Sequence, residues 1–175
     1  TFSSNIQYGT VGTSPDRTFI VDFQENRVGD TGNQINGQVE IHETSNVMNV
    51  TYRSTMSAGA NGKSATLGFQ SAGGASAKAY PLTFNGKILD DNRSDEGWSA
   101  DVGRAGLVRL TALAEHSPDD LPGAFSTLTG DDTTVNVTLP FGVTIEGTSY
   151  TTLTLSTNGW IEFGGNTSGS SDHIN

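Results

Sequence analysis

Apolar and polar residues alternate with a period of two along most of this chain, and that pattern limits the fold more than any other feature. Phe19, Val21 and Phe23 alternate with polar partners in "TFIVDFQ", Val39 and Ile41 in "GQVEIHE", and Met48, Val50 and Tyr52 in "VMNVTYR". "SATLGFQ", "TTVNVTLP" and "TTLTLST" repeat it, the last two placing Val135, Val137, Leu139, Leu153 and Leu155 on one face. Side chains that alternate in this way, rich in Thr, Val and aromatics, predict half-buried antiparallel strands rather than helices. Four Asn-Gly pairs, at 36–37, 61–62, 85–86 and 158–159, punctuate the strands. Both residue types tolerate the positive φ of two-residue hairpin turns, and "LTFNGKIL" and "LSTNGWIEF" are the strongest hairpin signals. The expected fold is all-β, an antiparallel β-sandwich of jelly-roll type.

Composition agrees. Charged residues make up only 16% of the chain and there are 22 Gly, which suits a turn-rich β protein and not a helical bundle. Nine Lys and Arg are scattered against 19 Asp and Glu, for a net charge of −10. Phosphate backbones are held by clustered basic groups, so nucleic acid is not an expected partner. No apolar run reaches the ~18 residues of a membrane helix, and no membrane span is expected. There is no Cys, so no disulfide framework is readable. The chain opens on Thr1 rather than Met, as expected of a processed or excised product.

One segment is ambiguous. "RAGLVRLTALAEH" (104–116) carries Leu107, Leu110 and Ala114 at helical spacing, but Gly106 and Ser117-Pro118 oppose a long helix. It is read as an extended connector, an edge or donor strand. It separates an N-terminal half (1–103) from a C-terminal half (117–175).

The two halves resemble parts of a known family. "FSTLTGDDTTVNVTLPFGVTIEGTSYTTLTLSTNGWIEFGG" is similar to the opening half of a β-sandwich module of secreted bacterial surface proteins, distantly nidogen- and tectorin-like. That module runs through an aromatic-led strand, an acidic turn, "PFGF-x-F-x-G-T-x-Y" and "STNGW". "IQYGTVGTSPDRTFIVDFQ", "GQVEIHETSNVMNVTYRS" and "NGKSATLGFQSAGG" are similar to its closing half, with the family's "G-T-x-P-N-R-x-F" and "E-T-x-N" stretches. The halves therefore stand in swapped order, and the family's intervening "P-x-[IL]-A-P-[FL]-W-D-D-L" segment is absent. The resemblance implies an extracellular or cell-surface structural or binding module, and it brings no catalytic residues.

The swap has three physical readings. The halves close together in one chain as a circular permutant, or each is completed by strands of a neighbouring subunit, or the chain is one repeat of a longer protein. An open half-sandwich leaves unpaired edges and a bare apolar face. Completion by a neighbour, propagating head to tail, is the favoured reading, with copies of the chain as its partners in a filament. The alternative is an adhesion module binding glycan or calcium.

Candidate sites are few. In "LDDNRSDEGWSAD", the oxygens of Asp90, Asn92, Asp95 and Glu96 are close enough in sequence to wrap calcium, although the stretch departs from a helix–loop–helix calcium loop. A solvated turn is the competing reading. N-glycosylation sequons fall at Asn49, Asn92, Asn136 and Asn166, with Asn49 and Asn136 on the outward faces of predicted strands. Asp131 and Asp132 read as turn residues. His42, His116 and His173 lack zinc-site spacing, and "HSPDD" does not make a reacting centre from adjacent loop residues. No nucleophile elbow or phosphate-binding loop is present, so an enzyme is not expected and no cofactor other than calcium is implied. Trp98 and Trp160 are candidate sugar-stacking groups, though tryptophans are more often core or rim.

Overall fold

A computed structural model of the protein describes residues 4–26, 34–52, 68–70, 77–79, 97–104, 107–113, 125–145 and 147–165. Alternation is expressed as expected: every regular element among the described residues is a strand. The first four are β1 (Ser4–Val11), β2 (Thr18–Asn26), β3 (Gln34–His42) and β4 (Val47–Tyr52). After two short strands, β5 (Gly68–Gln70) and β6 (Ala77–Ala79), come β7 (Gly97–Arg104) and β8 (Leu107–Leu113). The C-terminal stretch supplies β9 (Ser126–Gly130), β10 (Thr134–Ile145), β11 (Thr148–Ser156) and β12 (Trp160–Phe163).

These strands form a seven-stranded sheet in the order β8-β7-β4-β3-β2-β1-β9, a three-stranded sheet β10-β11-β12, and a separate β5-β6 pair, all antiparallel. Part of the ambiguous segment, 107–113, forms β8, which among the described residues stands at one end of that sheet. The two large sheets pack face to face as a β-sandwich. One sheet contributes Ile6, Phe19, Val21, Ile41 and Met48 to the core, and the other Leu139, Phe141, Val143, Leu153 and Leu155. The residues that alternation placed on one face of β10 and β11 do point inward. Leu153 and Leu155 are fully buried, while Val135 and Val137 are half-buried against the core.

The two halves of the chain meet at a strand edge and in the core. Strand β9 adds to the edge of β1 in the register Ser4↔Gly130 to Tyr8↔Ser126. Among the described residues, the core is built from both stretches. At the seam, Phe125 lies across Gly9, where an added Cβ would come 2.5 Å from the Phe125 ring. Strands from both stretches thus share one sheet and one core.

Three sequence expectations are corrected. Asn36-Gly37 is not a turn: both residues lie inside β3, with Gly37 paired to Phe23 on one side and Tyr52 on the other. Two flanking strands satisfy the backbone on both edges, which outweighs a local turn preference. Asn158-Gly159 does turn the chain, but as part of a three-residue loop, because the closing pair is Ser156↔Trp160. Only Gly159 takes the left-handed conformation (φ 79°), the pattern of a type I turn followed by a left-handed residue. The Asn61-Gly62 and Asn85-Gly86 pairs, and the "LTFNGKIL" hairpin with them, lie outside the described residues. Finally, β2 and β3 are not half-buried. Their second face, with Ile20, Asp22, Gln38 and Glu40, is as buried as the core face.

Candidate functional site

The motif residues gather at the two ends of the sandwich. At one end the β1–β2 loop "GTSPDR" (12–17) meets the β3–β4 turn "ETSN" (43–46). Glu43 accepts from Arg17 Nε at 2.8 Å, Arg17 Nη2 at 2.6 Å and the Arg17 backbone N–H at 3.1 Å, with Ser14 Oγ at 3.4 Å. This two-pronged geometry is the strong form of an ion pair. It holds the Glu43 carboxyl at about 2, well below its usual 4.5, chiefly through the Arg17 side-chain hydrogen bonds. The turn itself needs Thr44 (φ 67°) and Asn46 (φ 53°) in the left-handed region, and Thr44 Oγ1 donates to the Pro15 carbonyl.

The same cluster fastens the second sheet. Arg17 stacks its guanidinium 5.5 Å from the centroid of Phe141, and Asn46 Oδ1 accepts from the Thr144 backbone N–H at 2.8 Å. Phe141 reaches this position because β10 bulges. Between the pairs Thr138↔Thr152 and Val143↔Tyr150, four residues of β10 oppose one of β11. The "PFG" motif supplies that bulge. A depression of about 290 Å³, lined by Asp16, Arg17, Thr18, His42, Glu43, Thr44 and Ser45, opens beside the ion pair. Of its lining residues, Arg17 is already engaged by Glu43, while Asp16 is exposed.

At the opposite end the β9–β10 turn meets the β11–β12 turn. Asn158 Nδ2 donates to Asp132 Oδ1 at 2.8 Å, and Thr157 exchanges hydrogen bonds with Thr133. Asp132 (φ 51°) and Asp131 are turn residues, as expected. Both ends therefore consist of interlocked turns.

A third arrangement was not anticipated from the sequence. On the face of the seven-stranded sheet away from the core, polar residues form rows across β2, β3 and β4. One row is Asp22–Gln38–Thr51 and the next is Ile20–Glu40–Asn49, by strand register. Asp22 and Glu40 are 1% exposed, and Gln38 and Thr51 are 0% exposed. Asn49 Nδ2 approaches Glu40 Oε2 at 3.2 Å and His42 Nε2 at 2.9 Å, and Thr18 Oγ1 lies 3.2 Å from His42 Nδ1. Gln24 donates to Asp22 Oδ2 at 3.3 Å. Thr51 Oγ1 alone in these rows is a buried oxygen with no hydrogen-bond partner. Alternation reads these positions as the solvent side. The single hint against that reading is Ile20, an apolar residue in the polar phase of "TFIVDFQ".

Of the other sequence candidates, Asp90, Asn92, Asp95, Glu96 and Asn166 lie outside the described residues, as do His116 and His173. Asn49 is described, and its amide is engaged by Glu40 and His42, so a sugar on its Nδ2 must break both contacts. Asn136 is exposed and accepts from Thr154 Oγ1 at 2.7 Å, which leaves its amide nitrogen outside that bond. Trp160 is half-buried on β12. Among the described residues, no group of three or more His, Cys, Asp or Glu is placed to hold a metal ion. No helix among them is long and apolar enough to cross a membrane.

Fold and ends together define a β-sandwich module. A family model described as NIDO related matches residues 1–89 and 114–175, the greater part of the chain. The chain belongs to the NIDO-related family. No curated protein and no solved structure matches it.

Proposed function

We propose that the protein is an extracellular structural protein, a subunit or repeat of a cell-surface filament in which chains assemble head to tail by exchanging their C-terminal strands. One observation carries this reading. Strands β9 to β12 come from a single continuous stretch, and the apolar face of their sheet packs on strands from the other half of the chain. The corresponding stretch of a neighbouring chain presents the same β9 edge and the same Leu139, Phe141, Val143, Leu153 and Leu155. Exchange therefore requires no new contact, and an exchange that does not close on itself propagates a filament. The order of the halves, swapped relative to the module they resemble, fits a subunit designed to be completed from outside itself. The motifs lend support as well, since they build turns and seams at both ends.

Sedimentation and negative-stain imaging of the purified chain over a range of concentrations test the reading. Long polymers that resist dilution are expected. A chain that stays monomeric at every concentration overturns the filament and leaves an adhesion module in its place. In that event, calcium at Asp90–Glu96 becomes testable by melting with and without chelator, a bound ion raising the melting temperature.

A further inference from the structure

The row Asp22–Gln38–Thr51 sets a buried hydroxyl without a partner beside a side-chain amide, with buried carboxylates on the same face. Gln38 and Thr51 are direct cross-strand neighbours on β3 and β4. Such neighbours have Cβ atoms about 4.5–5.5 Å apart, which brings a Thr Oγ1 and a Gln Cδ within reach of one another. Both residues are fully buried. A buried hydroxyl normally finds a hydrogen bond, and one left unsatisfied calls for a specific reason. Thr51 Oγ1 has none. Glu40 lies diagonal to Thr51 on the same face, and Asp22 is the cross-strand neighbour of Gln38. Both carboxyl groups are withdrawn from water.

We propose that Thr51 and Gln38 are the two ends of an intramolecular ester cross-link that forms autocatalytically between β3 and β4. Rotation about the Thr51 χ1 bond swings the unpartnered hydroxyl to the Glu40 carboxylate, and Oγ1 then attacks Gln38 Cδ and yields its proton there. The tetrahedral centre then collapses, the Cδ–Nε2 bond breaks, and the proton passes to the departing nitrogen, which leaves as ammonia. Hydroxyl plus primary amide gives ester plus ammonia, so atoms and electrons balance without any oxidant, reductant or cofactor. Asp22, beside Gln38, acts as a positioning residue for the amide. Burial serves the reaction twice: it strips water from the nucleophile, and it shields the finished ester from hydrolysis. The bond locks the β3–β4 hairpin, on which the Arg17–Glu43 end depends.

Intact-mass spectrometry of the denatured full-length chain tests this directly. The expected mass is one ammonia below that of the sequence, and proteolysis should yield a peptide joining Gln38 to Thr51. The near-isosteric Thr51→Val and the carboxylate variant Glu40→Gln should restore the full mass while the β spectrum is retained. Recovery of Gln38 and Thr51 in separate, unmodified peptides overturns the proposal. So does an ammonia loss that persists in Thr51→Val, because succinimide formation at the Asn-Gly pairs then accounts for it.

Discussion

At the scale of single residues, the sharpest contacts lie where motifs from distant parts of the chain touch. Arg17 and Glu43 are both partly shielded, and their pairing lowers the Glu43 carboxyl from 4.5 to about 2. A carboxyl depressed on folding stabilises fully above its unfolded value, and that contribution fades as pH falls towards the folded one. Glu43→Gln should therefore lower the melting temperature at neutral pH. The gap between variant and wild type should then close between pH 4.5 and about 2, as followed by thermal melts in a pH series. A gap independent of pH would show that the charge plays no part. Gly9 gives a second prediction at this scale. Gly9→Ala forces a Cβ into the Phe125 ring, which must shift to make room. Overpacking of this kind costs about 1–3 kcal/mol, measurable by urea unfolding. Adding Phe125→Ala should cost less than the sum of the single changes, since the two residues share one contact.

At the scale of elements, strands were legible and their surroundings were not. Alternation identified β2, β3, β4, β10 and β11 and oriented their core faces correctly, because side-chain direction follows from backbone pleat alone. It misjudged Asn36-Gly37, where pairing on both edges of β3 overrides a local turn preference. It also misjudged the second face of β2 and β3, since burial of that face depends on tertiary structure that a strand pattern does not encode. For the same reason Asp22, Gln38, Glu40 and Thr51 passed as solvent-facing residues. The motifs "GTSPDR" and "ETSN" were visible as strings, but their mutual contact depends on the β2–β3–β4 register. The β10 bulge belongs to this scale too. It turns Phe141 inward beneath Arg17, so Phe141→Ala should remove both a core ring and the cation's stacking partner. A loss of about 3–5 kcal/mol is expected, against about 2–5 kcal/mol for Leu153→Ala, which leaves the Arg17 end intact. Chemical unfolding of the two variants at equal pH compares them.

At the scale of the whole molecule, the chain is one sandwich made from its two ends. Among the described residues, those before Tyr52 and after Phe125 carry the core, and the seam between them is the β1–β9 pairing. That seam has the same register whether the second stretch comes from the same chain or from an exchanged neighbour, so one measurement reaches the claim beneath both forms. The protein has no cysteine, and Gln7 pairs with Thr127 on the side of β1 and β9 away from Ile6 and Tyr8. Facing positions on paired strands fall within the ~4.4–6.8 Å Cα separation that a disulfide accepts. The double variant Gln7→Cys/Thr127→Cys should lose both thiols under mild oxidation, while each single variant keeps its own. Two thiols that remain free in the folded, oxidised double variant would contradict the seam and the sandwich built on it.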